Sequence, residues 1–215
     1  MLLGATPVIL SHAVLSARRG AEQIIAMPAA HRRWTAREVR TLIAESPLQT
    51  PRYELVAGEL LVTPSPNEPH QAAVSFLLAA LVEYLRRNPI GQAYASPSDV
   101  ELEKGTIVQP DVFVVPMHEV RRLRQTRGPA RELLVATEVL SPSSERHDRR
   151  DKRPHYQRHV SEYWIVDLDA RLFERWSPGE DRPEIIADRL RWQPKEAKEA
   201  FVLDVRTYFA EVHGA

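Results

Sequence analysis

The sequence predicts an α/β domain with a mixed central sheet flanked by helices. Three observations carry the prediction. Apolar runs of strand length alternate with stretches of helical spacing along most of the chain. Two of the runs, Val112–Val115 and Leu133–Ala136, are unbroken, as in central strands covered on both faces. The 215 residues are enough for one sizeable core, and there is no cysteine to staple a smaller one.

The elements follow in order. Trp34–Ala44 reads as a short helix, with Thr35 and Glu38 at capping-box spacing. Leu55-Val56 and Glu59–Thr63 flank Ala57-Gly58, a hairpin signal. Pro64, Pro66 and Pro69 mark a loop. His70–Arg87 then carries Val74, Leu77, Leu78, Leu81 and Leu85 at helical spacing, and Asn88-Pro89-Ile90-Gly91 ends it. Asp99–Glu103 alternates polar and apolar, as a half-buried strand does. Lys104-Gly105 turns the chain into a strand over Ile107–Val115. A basic connector, Arg121–Arg131, leads to a buried strand over Leu133–Leu140. Ser141–Arg150 reads as a polar loop. Pro154 is tolerated only in a helix's first turn, so the next helix is expected from Asp151 to His159, with Lys152 at its very start. Glu162–Asp167 and Arg171–Trp176 read as a hairpin and Tyr208–Val212 as a terminal helical turn. No internal repeat is present.

Arg18 and Arg19 follow the weakly apolar N-terminal stretch, where a secretory signal would put its charge first; the expected location is the cytoplasm, with no membrane partner. Met27 precedes Pro28-Ala29-Ala30, so residues 1–26 are expected to be a disordered extension and 27–215 a single domain.

Zero net charge argues at first against a polyanionic partner. The charge is unevenly distributed, however. Residues 51–120 hold 4 basic and 9 acidic residues, and residues 121–159 hold 11 basic and 5 acidic. Such asymmetry bears more on polyanion binding than the total does. The absence of cysteine excludes disulfide scaffolds, iron–sulfur clusters, Cys-ligated zinc fingers and a thiol nucleophile.

Two acids interrupt the apolar strands: Asp111 in Gln109-Pro110-Asp111-Val112 and Glu138 in Ala136-Thr137-Glu138-Val139. Buried carboxylates need a partner or a metal, and two near each other repel unless a cation lies between them. Carboxylate oxygens suit Mg²⁺ or Mn²⁺. Each acid taken singly also fits a strand end where it is solvated or paired with arginine. Lys152, 14 residues after Glu138, could offset charge beside a metal-bound water; in its arginine-rich setting it could equally be a surface residue.

These blocks resemble a known family. Pro110-Asp111, Glu138 and a following lysine resemble the PD-(D/E)XK nuclease signature. More closely, Tyr53–Leu60, Gln109–Asp111, Glu138–Ser144, Asp148 with Lys152, and Glu162–Asp167 resemble the Uma-type putative restriction endonucleases, over roughly residues 30–212. The resemblance implies a restriction-endonuclease-like core and metal-dependent hydrolysis of DNA phosphodiester bonds. It implies Asp111, Glu138 and Glu54 at the metal, and Lys152 as the catalytic lysine, displaced onto the following helix from the superfamily's usual place. Leu140 stands at that usual place. Arg121, Arg122, Arg149 and Arg150 are candidates for contacts to the nucleic-acid backbone, and a homodimer would suit the cutting of two strands. Two other readings stand beside this one. A nuclease-fold protein could bind nucleic acid or a partner without cutting. His155 and His159, four apart, are half a zinc site by spacing but lack the glutamate of a zinc hydrolase.

Overall fold

The computed structural model describes residues 32–46 and 51–214. The expected extension, residues 1–26, lies outside them.

Helix α1 (Ala36–Glu45) opens with the expected capping box: Glu38 N–H donates to Thr35 Oγ1, and Thr35 N–H donates to the Glu38 carboxylate. Strands β1 (Arg52–Val56) and β2 (Glu59–Thr63) form the hairpin. Its two turn residues, Ala57 and Gly58, have φ of 51° and 82°, the positive pair that a tight two-residue hairpin turn needs. Helix α2 (Glu68–Arg87) is capped by Asn67, with a proline in its first turn. It buries His70, Ala73, Leu77, Leu81, Tyr84 and Leu85 along one stripe.

The sheet is mixed, as expected. β3 (Gly91–Ala95), β6 (Val112–Pro116), β7 (Val135–Val139), β8 (Glu162–Asp167), β9 (Leu172–Trp176) and β10 (Glu184–Ile186) lie in the order β10-β9-β8-β7-β6-β3. Only β7 and β8 run parallel. A smaller sheet, β2-β1-β5-β4, is completed by β4 (Val100–Glu103) and β5 (Thr106–Val108). β11 (Arg189–Trp192) pairs with β12 (Phe201–Asp204), and α5 (Val205–His213) closes the chain. One face of the large sheet packs on α2, α5 and the β11–β12 ribbon around Trp164, Phe173 and Tyr208. The other face packs on α3 (Met117–Thr126), α4 (Arg153–His159) and the small sheet around Phe113, Tyr156 and Tyr163. Among the described residues no helix is long and apolar enough to cross a membrane.

Three expectations are corrected. The strand predicted over Ile107–Val115 is two strands in two sheets, β5 and β6. Gln109-Pro110-Asp111 is the break, because Pro110 has no N–H to give a ladder. The basic connector is helical from Met117 to Thr126: Met117, Val120 and Leu123 recur on one side and pack into the second core, beneath the arginines. Helical structure does not wait for Asp151. A π-helical segment, His147–Lys152, runs directly into α4. The wider π turn accommodates Pro154, whose ring would clash with the carbonyl four residues back in a continuous α-helix. Strand β3 and the small strands β10, β11 and β12 carry no clear periodicity in the sequence. They are strands by tertiary pairing.

Candidate active site

The break at Gln109-Pro110-Asp111 brings the two sheets together. On β1, Arg52 and Glu54 are two apart and share a face. Arg52 Nη1 lies 2.7 Å from Asp111 Oδ1, and Glu54 Oε1 accepts the Gln109 N–H at 2.7 Å. Asp111 Oδ2 accepts the Val139 N–H at 2.9 Å and faces His70 Nε2 at 3.1 Å. A carboxylate can only accept, so Nε2 carries the proton.

Glu138 projects to the opposite face of β7 from Val139, toward α4 and the small sheet. The π-helical segment sits over it. Lys152 Nζ lies 2.7 Å from Glu54 Oε2, 3.0 Å from Asp148 Oδ1 and 3.2 Å from Glu138 Oε1. Tyr156, one turn further on, donates its hydroxyl to Glu138 Oε1 at 2.9 Å and stacks on Tyr163 at 4.5 Å between ring centres. Glu54, Asp111, Glu138, Asp148 and Lys152 are each no more than 3% exposed.

The electrostatics follow from this packing. Burial pushes the Glu138 carboxyl well above the usual carboxylate range; Lys152 opposes that, and Asp148, Asp111 and Glu54 add to it. Burial raises Asp148 in the same way. Burial alone would also raise Asp111, but the hydrogen bond from His70 and the Arg52 guanidinium override it and hold the group well below its usual range. Burial alone would lower Lys152, yet Asp148, Glu138 and Glu54 together raise it well above an ordinary lysine.

The donor chemistry fits a hard divalent cation. The buried cluster sets four carboxyl groups against the two cationic side chains Lys152 and Arg52. Carboxyl oxygens in excess of cationic side chains are the donors such a cation takes. Glu54 Oε2 and Asp148 Oδ1 touch Lys152 but have no aligned hydrogen-bond donor, and His70 Nδ1 is buried without a partner. The acids do not surround a common point: among the described residues, no three His, Cys, Asp or Glu side chains are arranged to hold a metal ion. A cavity of about 200 Å³, lined by Arg52, His70, Gln71, Ser96, Pro97 and Asp111 among others, opens on the Asp111 side.

The sequence-assigned Glu54, Asp111, Glu138 and Lys152 are thus brought together. The assigned arginines are not. Arg122 forks onto Glu119, at 2.6 Å for both Nε and Nη2. Arg149 is bound to Glu145, Asp167 and Glu174. Arg121 and Arg150 are exposed. His155 and His159 both face Glu103. Sequence reasoning missed Arg52 and Tyr156. Their signals were available: Arg52 is two residues before Glu54 on a strand, and Tyr156 is four after Lys152 on a helix.

Comparison with known proteins points the same way. The profile of the Uma2 family, described as putative restriction endonuclease, matches residues 23–206. The fold is similar to the crystal structure of a putative nuclease belonging to DUF820 from Anabaena variabilis ATCC 29413. That similarity has a TM-score of 0.62 at 20% identity and covers 79% of this chain and 96% of that one. No curated protein matches the chain.

Proposed function

Because the chain belongs to the Uma2 family of putative restriction endonucleases, we propose that it is a divalent-metal-dependent nuclease that hydrolyses DNA phosphodiester bonds at the cluster of Glu54, Asp111, Glu138 and Lys152. The observation that carries the reading is the buried cluster itself, four carboxylates against one lysine and one arginine beside an open cavity. Such an arrangement costs folding energy and has no structural purpose that a hydrophobic core would not serve better.

Asp111, Glu138 and Glu54 supply the oxygen donors that would hold Mg²⁺ or Mn²⁺ once their side chains turn toward a common point. The bound metal would supply positive charge to the phosphate and acidify a water. The chain's own groups do the rest. Arg52, His70 and the Val139 N–H fix Asp111 and keep it ionised. Tyr156 fixes Glu138. Lys152, held charged by its three acids, offsets negative charge as the phosphate enters and orients the attacking water. The cavity beside Asp111 is the entrance for the phosphate. One site cuts one strand, so a monomer nicks and a homodimer linearises.

Supercoiled plasmid and branched DNA, incubated with Mg²⁺ or Mn²⁺ and separately with a chelator, test the reading beside Asp111→Ala. Metal-dependent nicking by the wild type alone is expected. Equal nicking by both proteins would reveal a contaminant. Binding without nicking in either would leave a nuclease fold that only binds nucleic acid.

A further inference from the structure

We infer that the groove between α1, β3 and α3 is a track for the phosphate backbone of the nucleic acid flanking the scissile bond. The inference rests on the nuclease reading and joins Arg124 and Arg127, from the arginine cluster that follows the Asp111 strand in the sequence, to Arg40 of α1 on one surface. The groove encloses about 590 Å³, far more than one phosphate fills. Arg40, Arg124 and Arg127 line it, and its only acidic lining residue is Asp99, whose Oδ1 already accepts the Gln109 amide at 2.8 Å. Tyr94, partly exposed and stacked on Phe113 at 5.7 Å, forms a flat wall suited to a sugar or base.

The three arginines differ in how they are held. Arg40 is paired with Glu101 at 2.8 Å, and Arg124 makes one long contact, 3.4 Å, to the Gln92 amide. Arg127 has no ion pair among the described residues. It caps α3 in the left-handed conformation, φ 52°, although Gly128, for which that conformation is free of strain, is the next residue. A strained arginine without a carboxylate partner in a basic groove is an anion-binding group.

The groove also lies where a substrate strand would pass. Ser96 and Pro97 line the cavity into which Asp111 opens, and Ser98 and Asp99, the next two residues, line the groove. One short segment therefore separates the phosphate entrance from three guanidiniums. Fork-shaped guanidiniums grip successive phosphates without reading sequence.

The test is fluorescence anisotropy of a labelled DNA duplex over a salt series without metal. It compares wild type, the double variant Arg124→Gln with Arg127→Asn, and the control Arg182→Gln, an exposed arginine between β9 and β10 that does not line the groove. Glutamine suits the helix and asparagine tolerates the left-handed cap, so unchanged thermal unfolding is expected. Each backbone arginine contributes about 0.9 to the slope of log affinity against log salt. The double variant should therefore lose roughly 1.8 from that slope and bind about tenfold or more weakly at low salt, with the control unchanged. An unchanged slope in the double variant, or an equal loss in the control, overturns the groove even if the wild type cuts DNA. A wild type that shows the predicted slope loss but does not cut keeps the groove and removes hydrolysis. No binding by the wild type overturns the groove.

Discussion

Glu138 sits in a core strand at 1% exposure with its proton affinity raised by burial. A carboxyl whose folded pKa is raised stabilises the fold fully below its unfolded value, near pH 4.5, and loses that contribution as pH rises through the folded value. Asp111 has the opposite sign: its pKa is depressed, so its contribution is present above about pH 4 and is lost only in stronger acid. Above about pH 4.5, then, Glu138 makes the metal-free protein less stable as pH rises toward its folded value. Glu138→Gln removes that burden, keeps an acceptor for Tyr156, and leaves Lys152 paired with Glu54 and Asp148. We expect its melting temperature at pH 8 to exceed the wild type's by a few degrees, at roughly 2–4 °C per kcal/mol for a chain of this size, with the difference shrinking toward pH 5. A lower melting temperature at pH 8 would refute this account of the cluster. Lys152→Met acts the other way. It strands three acids and should destabilise by about 3–5 kcal/mol at neutral pH, less in acid where those acids protonate; denaturant unfolding at the two pH values measures it. Asp111 and Glu138 were legible because polar residues in apolar runs stand out, whereas Glu54 and Lys152 were found only through the family resemblance. Arg52 and Tyr156 were not singled out because each looks ordinary until its strand or helix partner is known.

At the scale of elements, the site depends on two interruptions. Pro110 breaks the chain between β5 and β6, which lie in different sheets, and leaves Asp111 just before β6, and the π-helical segment carries Lys152 over Glu138. The hairpin β1–β2, helix α2 and strands β7 to β9 could be read in the sequence because period, caps and turn residues agree there. Pro154 misled in an instructive way. It signals a helix start in an α-helix, but a π turn admits it further in. Strand β3 was invisible because Gln92, Ala93, Tyr94 and Ala95 owe their strand to pairing with β6. Gly91, its first residue, is needed there: a Cβ would come within 2.5 Å of the Val115 carbonyl oxygen. Gly91→Ala should therefore force β3 and β6 apart and cost about 1–3 kcal/mol by chemical denaturation; a neutral result would mean that the β3–β6 edge gives way easily.

At the scale of the molecule, the balanced charge conceals a division of labour. The acidic stretch of residues 51–120 supplies Glu54 and Asp111, and the basic stretch of residues 121–159 supplies Lys152 and the arginines of α3. A chain that buries four carboxyl groups against one lysine and one arginine gives up stability that a cation restores, so Mg²⁺ or Mn²⁺ should stabilise the whole fold. At a hundredfold excess over the dissociation constant the gain is about 2.7 kcal/mol, roughly 5–10 °C in melting temperature. It should be larger at pH 8 than at pH 5, because the metal competes with the protons on Glu138 and Asp148. Thermal unfolding with and without metal measures it, and no shift at either pH would remove the metal from the account.

The most direct test is the rate of plasmid nicking in Mn²⁺ by Glu138→Gln beside the wild type, on samples shown by thermal unfolding to be folded. The account predicts a variant more stable than the wild type that cuts about a hundred- to a thousandfold more slowly, the range lost with a principal electrostatic group of an active site. A stable variant that nicks as fast as the wild type would contradict it.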